Sequence, residues 1–545
     1  MEKEIEKLAL QNAVKFDGRA NPGAVIGHLF SENPKLKEQA KELSQKVQAI
    51  IKKVNAMSLD EQRKALEKIA PGLLEEKKEK KKKELPELPN VHGPVVTRIP
   101  PEPSKYPHLG HALSFLINYL YAKKYHGKCV LRIDDTNPEK AKKEYYDALY
   151  DALLWLRISP DITVIASKEM ETFYLYAEKL IQKEHAFVCF CDKEKISDYR
   201  THAKICEHRS QSVHKNMEQW KQMLSRKYKP GEATLRLVGE IDSLNATMRD
   251  PVLFRLITHE HPLVKDKYIV WPTYDFETVI GEEITGVTHI LRSIEFGLMR
   301  VDLQNYIKDI LGFRKQDVLQ YGRFSVVGYE TQGRVIREKI EKGEVTGWDD
   351  PRLVTIMALR RRGIVPETFY ELAVEVGLSS TETNLDWSVI AAINRKIIDP
   401  HAKRYFFVRN PQILRVKNEL KQAKVPLHPE NKEMGFKTLH FEDEFYVQDT
   451  LEYGKVYRFM HLFNFQDGKF ISEPYDQSLG AKIIHCVPVK EAINVQVLMS
   501  DGSHLTGKGE RALKDLKEGE TVQFERQFFC RLDDKEKMLF VYAHD

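Results

Sequence analysis

Apolar side chains recur at helical spacing through the first 70 residues of the chain. The positions that repeat every three or four residues are Leu36, Ala40, Leu43, Val47, Ile50, Ile51 and Val54. This period is that of an amphipathic helix. Ser58, followed three residues later by Glu61, is the pattern of a capping box that starts a further helix. The pattern therefore predicts a helical region over residues 1–74.

A run of glutamates and lysines, residues 75–84, follows this region and precedes prolines at 86 and 89. Mixed charge without a periodic apolar face is typical of a solvated helix end or a linker. We interpret residues 75–92 as a charged linker, although its lysines could also contact a phosphate backbone.

Between residues 93 and 325 the pattern changes to β-prone runs that alternate with helical ones. Predicted strands cover 95–97 and 129–133, and predicted helices cover 111–125, 137–156 and 168–183. Such alternation is typical of a parallel sheet covered by helices. Residues 350–400 are helical again, and they follow this predicted α/β domain.

Beyond residue 405, short β-prone segments are separated by turn signals. Residues 463–471 have the pattern of a hairpin with Asp467 and Gly468 at its turn, and residues 522–526 have the pattern of another strand. Many short strands of this kind predict a β-barrel region over residues 405–545. Because 545 residues are too many for one core, we predict a multidomain protein.

The composition indicates the compartment of the protein but not its function. Lysine and arginine together number 85 against 80 acidic residues, so any contact with nucleic acid must come from a local patch. Six cysteines in so long a chain fit a reducing compartment better than a disulfide framework. The charged N-terminus lacks the apolar core of a signal peptide, and no apolar run reaches membrane-spanning length. We therefore expect a cytoplasmic protein that has no membrane partner.

The segment Pro103-Ser-Lys-Tyr-Pro-His108-Leu-Gly-His111 lies between a predicted strand and a predicted helix. Free backbone N–H groups at a helix N-terminus attract anions, Gly110 allows a ligand to approach closely, and two imidazoles add hydrogen-bond donors. The motif therefore suits a polyphosphate. Taken alone, it is also compatible with an ordinary helix start.

Four potential metal ligands form two close pairs. These residues are Cys189, Cys191, Cys206 and His208. Three thiolates and an imidazole are the ligands of a closed, tetrahedral, structural zinc site. The alternative is a chance cluster of buried thiols, since cysteine is a common core residue.

Several blocks resemble those of class I aminoacyl-tRNA synthetases that charge glutamate or glutamine. Residues 97–112, Thr-Arg-Ile-Pro-Pro-Glu-Pro-Ser-Lys-Tyr-Pro-His-Leu-Gly-His-Ala, resemble their HIGH signature. The later blocks follow in the same order at 132–138, 274–276, 286–292 and 347–353. Residues 394–396 and 404–408 resemble the join to the anticodon-binding barrels. The resemblance covers nearly the whole chain, and it is strongest to the archaeal type of glutamyl-tRNA synthetase.

The resemblance implies a domain plan. It assigns residues 93–325 to a Rossmann-like class I catalytic domain, in which about 186–262 form an inserted acceptor-stem domain with the Cys/His cluster. Residues 326–404 would hold a second ATP loop and a helical region that contacts the tRNA stem, and residues 405–545 would form the anticodon-binding barrels. Residues 1–74 would be a helical N-terminal extension.

The resemblance also implies the reaction. Glutamate attacks the α-phosphate of ATP, with Mg²⁺ as cofactor, and the glutamyl group then moves to the 3′-terminal adenosine of tRNA. The partner is the glutamate tRNA, and the glutamine tRNA is left open as a second substrate. The family expectation is a monomer.

Carried over to this chain, the family's site has two parts. Ser104, His108, Gly110 and His111 would bind ATP. Arg98 and Arg292 would bind the two carboxylates of glutamate, Asp134 its ammonium group, and Tyr274 and Thr278 would add hydrogen bonds.

Glutamine-specific relatives are the close alternative. Residues 134–138 and 248–252 look like their version of these blocks. Glutamine has one carboxylate fewer and needs one cation fewer, so Arg292 favours glutamate. The Cys/His cluster and the N-terminal extension favour glutamate as well.

The second ATP loop departs from the family pattern. Its usual lysine-containing core falls on Gln332-Gly-Arg-Val335, which contains no lysine. Arg334 or Arg337 would have to supply the cation, and Gly333 would keep the loop mobile. Activation would then depend on arginine or be slow, and a tRNA-binding relative with weakened activation stays open as an alternative. Lys105 is a second departure, because a glycine is usual there.

Four arginines form a local basic cluster in the sequence. They are Arg352, Arg360, Arg361 and Arg362. We expect them to contact tRNA phosphates. The alternative is an ordinary solvated helix face.

Overall fold

The computed structural model describes residues 2–15, 18–32, 40–70 and 84–545. They form two compact units, Met1–Glu84 and Leu85–Asp545. Leu36 and residues 71–83, which include half of the predicted linker, lie outside the described residues. None of the helices that the structure describes is long and apolar enough to cross a membrane.

The first unit is helical in its described part, as predicted. Its helices are α1 (Glu2–Lys15), α2 (Pro22–Glu32), α3 (Ala40–Asn55) and α4 (Leu59–Ile69). Ile5, Ala9 and Val47 are fully buried in the core between them. The predicted capping box is confirmed, since the Ser58 hydroxyl accepts from the Glu61 N–H and the Glu61 carboxylate accepts from the Ser58 N–H at 2.8 Å.

The second unit begins with a parallel α/β layer. Its elements are β1 (Val96–Ile99), α5 (Leu109–Lys124), β2 (Lys128–Ile133), α6 (Lys143–Trp155) and β3 (Ile162–Ile165). The strands pair in the order β1-β2-β3, all parallel, which confirms the predicted α/β pattern here. Helix α6 begins six residues later than predicted, because the chain turns back at Asn137, whose carbonyl accepts from Lys140 and Ala141.

An antiparallel layer follows. Its elements are α7 (Met170–Gln182), β4 (Ala186–Cys189), α8 (Lys193–Thr201), α9 (Val213–Leu224), β5 (Thr234–Leu237), β6 (Val252–Leu256) and β7 (Val270–Pro272). The strands pair in the order β4-β5-β6-β7 around the buried Trp220 and Trp271. This sheet covers the predicted insertion but extends ten residues beyond residue 262.

The chain then returns to the parallel layer. The elements are α10 (Tyr274–Thr285), β8 (His289–Ser293), α11 (Gly297–Leu311), β9 (Asp317–Tyr321), β10 (Phe324–Val326), α12 (Gly333–Glu341), α13 (Ile356–Arg362), α14 (Pro366–Val376), β11 (Thr383–Leu385) and α15 (Trp387–Ile398). Strand β8 pairs with β9 in parallel. The Thr288 N–H donates to the Val96 carbonyl at 2.9 Å, so β8 lies beside β1.

The region after residue 402 is made of short strands, as predicted. They are β12 (Lys403–Tyr405), β13 (Phe407–Arg409), β14 (Gln412–Arg415), β15 (Gln422–Pro426), β16 (Phe436–His440), β17 (Glu444–Val447), β18 (Val456–Phe459), β19 (Asn464–Gln466), β20 (Lys469–Ser472), β21 (Lys482–Ile484), β22 (Val487–Pro488), β23 (Ala492–Leu498), β24 (His504–Glu510), β25 (Thr521–Phe524), β26 (Phe528–Asp534) and β27 (Leu539–His544). The predicted hairpin forms between β19 and β20, where Asp467 and Gly468 both have positive φ.

Seven strands of this region form one sheet, in the order β12-β25-β26-β27-β23-β24-β13. A single residue separates β12 from β13, so one extended segment pairs with both ends of the sheet. Strands β14–β22 lie in smaller sheets around a separate core that contains Phe445 and Phe459.

Candidate active site

A cavity of about 600 Å³ opens at the carboxyl ends of β1, β2 and β8. In parallel sheets this edge is the usual place for a ligand. The predicted site residues that line the cavity are Arg98, Ser104, His108, Gly110, His111, Asp134, Tyr274 and Arg292. The structure therefore brings most of the predicted ATP and glutamate ligands into one space.

His108 and His111 begin helix α5. The His108 Nδ1 accepts from the Gly110 N–H at 3.1 Å, and the His108 N–H donates to the His111 Nδ1 at 3.2 Å. A ring nitrogen that accepts a hydrogen bond carries no proton, so each neutral ring is protonated at Nε2. Both rings line the cavity, and each offers an Nε2–H donor.

The two imidazoles are neutral at physiological pH. Burial, with the nearby charges of Lys105 and Arg323, lowers the pKa of His108 to about 3. Burial, followed by the electrostatic effect of the neighbouring His108 and Lys105, lowers the pKa of His111 well below its usual range. They can therefore act as hydrogen-bond donors to an anion without taking up a proton themselves.

Two buried arginines form the inner end of the cavity. The Arg98 Nη1 donates to the Leu291 carbonyl at 3.2 Å, and its Nε lies 3.5 Å from Glu282. The Arg292 Nη1 donates to the Gln304 side chain at 3.1 Å. Nη2 of Arg98, and Nε and Nη2 of Arg292, have no hydrogen-bond partner among the described residues. Buried donors without partners are costly, so these groups are suited to an anionic ligand.

Tyr274 lies at the start of α10, and its ring stacks on Phe296 with centroids 5.4 Å apart. Burial raises the pKa of its hydroxyl, although the charges of Arg98 and Arg292 oppose this effect. The phenol therefore stays protonated and can share a hydrogen bond with a ligand held by the two arginines.

Asp134 is oriented by an arginine that the sequence did not single out for this role. Nε and Nη2 of Arg132 donate to its two carboxylate oxygens at 2.6 and 2.9 Å. Arg132 in turn donates to the Thr278 hydroxyl at 3.2 Å. Thr278 is fully buried behind Arg132 and is not among the residues that line the cavity. The predicted direct contact of Thr278 with substrate does not fit this buried position, and Thr278 would act on a ligand only through Arg132.

Seven further charged residues line the cavity and were not predicted as ligands. They are Glu102, Lys105, Lys140, Arg255, Glu277, Glu295 and Arg323. Burial, and then the neighbouring Asp134, raises the pKa of Glu277 well above its usual range. Glu277 lies three residues after Tyr274 on α10, so helical spacing could have indicated that the two share a face. Lys105 was visible in the sequence only as a departure from the family.

The arginines of the second loop do not line the cavity, although the sequence predicts that they bind ATP there. Thr331 and Gln332 line the cavity, whereas Gly333, Arg334 and Arg337 are not among its lining residues. The Arg334 side chain is 79% exposed and lies 3.9 Å from Glu338. Arg337 donates to the Ser104 carbonyl at 3.3 Å and to the Tyr145 hydroxyl at 3.2 Å. The catalytic role of these arginines remains a prediction.

The predicted metal ligands form one compact cluster. Sγ of Cys206 lies 3.7 Å from Sγ of both Cys189 and Cys191, and 3.4 Å from Nδ1 of His208. A tetrahedral zinc ion with Zn–S bonds of about 2.3 Å places two sulfurs about 3.8 Å apart. The donor set and its spacing therefore fit zinc. Arg236 donates to Sγ of Cys189 at 3.6 Å and would balance thiolate charge.

The four arginines of the predicted tRNA patch have different surroundings. Arg352 pairs with Asp350 at 2.7 Å and Arg360 with Asp151 at 3.2 Å, while Arg361 pairs with Asp349 and Asp533. Arg362 is fully buried, donates to the Ala543 carbonyl at 2.9 Å, and stacks on Trp387. A buried guanidinium cannot reach a phosphate of bound tRNA, so the prediction that Arg362 contacts tRNA is wrong.

Comparison with known proteins identifies the family. The family model of the catalytic domain of class I tRNA synthetases for glutamate and glutamine matches residues 94–400, and that of their anticodon-binding domain matches 402–486. The glutamate–tRNA ligase of Pyrococcus furiosus is 40% identical, over 99% of this chain and 100% of its own length. That of Methanocaldococcus jannaschii is 38% identical, over 100% of both chains.

Among solved structures, a glutamate tRNA ligase from Elizabethkingia meningosepticum overlays with a TM-score of 0.41 and 19% identity, covering 56% of this chain and 70% of that one. That likeness is too weak to carry an argument. The family models and the full-length relatives are sufficient: the chain belongs to the class I tRNA synthetases of the glutamate and glutamine family.

Proposed function

We propose that the protein attaches L-glutamate to the 3′ end of the glutamate tRNA in an ATP-dependent reaction. The observation that carries this proposal is the pair of buried guanidiniums, Arg98 and Arg292, which both line one cavity and both have N–H groups without a partner among the described residues. Two planar cations suit the two carboxylates of glutamate. Asp134 would hold the ammonium group, because Arg132 fixes its orientation but leaves part of its acceptor capacity free.

The reaction proceeds in two transfers. An oxygen of the glutamate α-carboxylate attacks the α-phosphorus of ATP, the bond to the pyrophosphate oxygen breaks, and glutamyl-adenylate forms. A ribose hydroxyl of the terminal adenosine then attacks the glutamyl carbonyl carbon, and AMP leaves with the proton of that hydroxyl. Bound Mg²⁺ supplies further neutralisation of phosphate charge.

The residues at the outer end of the cavity would position ATP. The Nε2–H donors of His108 and His111 would bind phosphate oxygens, with the N-terminus of α5 behind them. A methyl group at Gly110 would lie 3.0 Å from both the His108 ring and the Phe324 carbonyl. The absence of a side chain at Gly110 therefore allows the His108 ring and the Phe324 backbone to approach the start of α5 closely. Ser104 lies on the loop that precedes α5 and lines the same cavity.

Aminoacylation by the purified protein tests the proposal. Labelled glutamate and labelled glutamine would each be offered with transcripts of the glutamate and glutamine tRNAs, ATP and Mg²⁺. We expect glutamate on the glutamate tRNA, and product on the second tRNA would extend the substrate range. Attachment of glutamine would make the protein a glutaminyl enzyme and overturn the role given to Arg292. No product with intact tRNA binding would favour a relative with weakened activation.

The Cys/His cluster supports a structural zinc site in a domain over the acceptor stem. We expect about one zinc per purified chain, and its loss in Cys206→Ser. Cys530→Ser is the control, because this buried thiol lies outside the cluster. Equal zinc content in wild type and Cys206→Ser would contradict the assignment. Metal analysis measures the zinc content independently of the activity.

Contacts with tRNA would come from the β region and from exposed arginines. The extended segment that pairs with both ends of the seven-stranded sheet supports a closed anticodon-binding barrel. Arg352 and Arg360 are the best placed of the predicted cluster, and Arg361 is held more firmly by two carboxylates. Changing Arg352 and Arg360 to alanine should weaken tRNA binding and reduce its salt dependence. Unchanged binding would remove them from the interface.

A further inference from the structure

The second ATP loop supplies no positively charged side chain to the cavity where the phosphates of ATP would bind. It contains no lysine between residues 329 and 338, and its arginines are directed elsewhere. Arg334 is largely solvated, and Arg337 is held by Ser104 and Tyr145. An activation site that binds a triphosphate therefore needs another positive group at this end of the cavity.

Lys105 is a positively charged residue at this end of the cavity. It lies on the loop before His108 and lines the same cavity, three residues from the imidazole. Its stem packs against the second loop, since a methyl group at Gly333 would lie 3.0 Å from the Lys105 Cβ and 3.2 Å from its Cδ. Gly333 has no positive φ, so this close contact is the reason for a residue without a side chain there. The two loops therefore meet through Lys105 and Gly333.

In the part of the chain that the structure describes, the Lys105 ammonium forms no ion pair, although the charges of Glu102 and Glu295 act on it from a greater distance. Lys140 and Arg323 also line the cavity, but each pairs with a glutamate at 3.3 Å. No carboxylate of the described residues lies within 4.0 Å of the Lys105 ammonium. Burial lowers the pKa of Lys105, and the charge of Arg323 acts in the same direction. A bound polyphosphate would reverse that effect, because an adjacent anion favours the charged form.

We propose that Lys105, from the first loop, supplies the phosphate-binding ammonium that the second loop lacks. This inference rests on the proposed activation of glutamate. As the α-phosphorus forms its bond to the glutamate carboxylate and releases pyrophosphate, the ammonium stays protonated and neutralises charge on the leaving phosphates. Gly333 is a positioning residue, because it allows the Lys105 stem to lie between the loops.

Pyrophosphate exchange into ATP, with glutamate and tRNA present, tests the proposal. Lys105→Met keeps the stem and removes the charge, so kcat/KM for ATP should fall by about 100-fold. Lys105→Arg should restore part of the loss. Lys342→Met is the matched control, since Lys342 is an exposed lysine just beyond α12, and it should stay within twofold of wild type. Exchange by Lys105→Met within threefold of wild type would overturn the proposal.

Arg334→Met and Arg337→Met separate the two explanations of the lysine-free loop. If either variant loses exchange while Lys105→Met retains it, the cation comes from the second loop and the proposal is wrong. A loss in Lys105→Met alone supports it. Thermal unfolding of each variant shows whether a loss reflects folding.

A binding measurement keeps this test separate from that of the proposed function. Inorganic pyrophosphate and AMP would be titrated into wild type and Lys105→Met by calorimetry. Pyrophosphate affinity should fall about tenfold and AMP affinity should not change. If wild type charges no tRNA but the pyrophosphate effect is present, the proposed function fails and the phosphate site stands. If wild type charges glutamate and Lys105→Met matches it in both assays, only the inference fails.

Discussion

At the scale of single residues, we expect Arg292 to carry the preference for glutamate over glutamine. Its Nε and Nη2 are buried and free, whereas Nη1 is fixed by Gln304. Arg292→Gln should lower kcat/KM for glutamate by about 100-fold, because it removes charge-assisted hydrogen bonds worth about 3 kcal/mol. Arg314→Gln, an exposed arginine, serves as the control and should change little. If kcat/KM for glutamate changed less than threefold in Arg292→Gln, the side-chain carboxylate of glutamate would have to bind to another residue.

The neutral histidines make stability depend on pH with a defined sign. The pKa of His108 is about 3 in the folded protein against 6.5 normally, so below pH 6.5 the unfolded chain binds protons that the folded chain does not. Stability should therefore fall as the pH drops from 7 to 5, by up to about 1.4 kcal/mol per unit from this residue. Urea unfolding at both pH values should show a smaller fall in His108→Gln. Equal falls in both proteins would contradict the neutral assignment.

The sequence predicted the residues that lie in its contiguous blocks. Ser104, His108, Gly110 and His111 lie on one turn, and the order of the later blocks was sufficient to add Arg98, Asp134, Tyr274 and Arg292. Residues that act through a neighbour were not predictable. Arg132 takes its role from the way α10 packs on β2, and no local spacing contains that information. Glu277 differs, because its helical spacing from Tyr274 could have indicated it.

At the scale of elements, α10 packs against β2 through a glycine. A methyl group at Gly281 would lie 2.8 Å from Cδ and 2.9 Å from Nη1 of Arg132. Gly281→Ala should therefore displace Arg132, release Asp134 and raise KM for glutamate by about tenfold, an effect of about 1.4 kcal/mol. Gly93→Ala is the control, because its added methyl group would meet no atom within 4 Å. An unchanged KM in Gly281→Ala would show that Asp134 does not depend on this packing.

Element types were more predictable than element bounds. The α/β alternation, the hairpin at Asp467 and the Ser58 cap follow from local patterns, and each is present in the structure. The start of α6 was missed because the turn at Asn137 depends on backbone hydrogen bonds that composition does not specify. The antiparallel sheet passes beyond residue 262, since β7 pairs with β6 across the expected boundary.

At the scale of the whole molecule, Arg362 connects the helical region before residue 400 to the seven-stranded sheet. It donates to the Ala543 carbonyl and lies 3.8 Å from the centre of the Trp387 ring. Arg362→Ala should destabilise this region by about 3 kcal/mol, since it leaves buried acceptors unpaired and removes the stacking. Arg360→Ala, whose pair with Asp151 is exposed, should cost less than about 1 kcal/mol. Urea unfolding followed by tryptophan fluorescence would compare them, and equal midpoints would contradict the connecting role.

The seven-stranded sheet has a consequence for synthesis of the protein. Strand β13 ends at Arg409, but its partner β24 starts at His504, and the intervening strands β14–β22 belong to other sheets. At about 5–20 residues per second, β13 leaves the ribosome several seconds before β24 exists. During that interval its unpaired edge is open to wrong partners. The core around Phe445 is built from residues between 406 and 492, so all of its residues have been synthesised before β24 can complete the seven-stranded sheet.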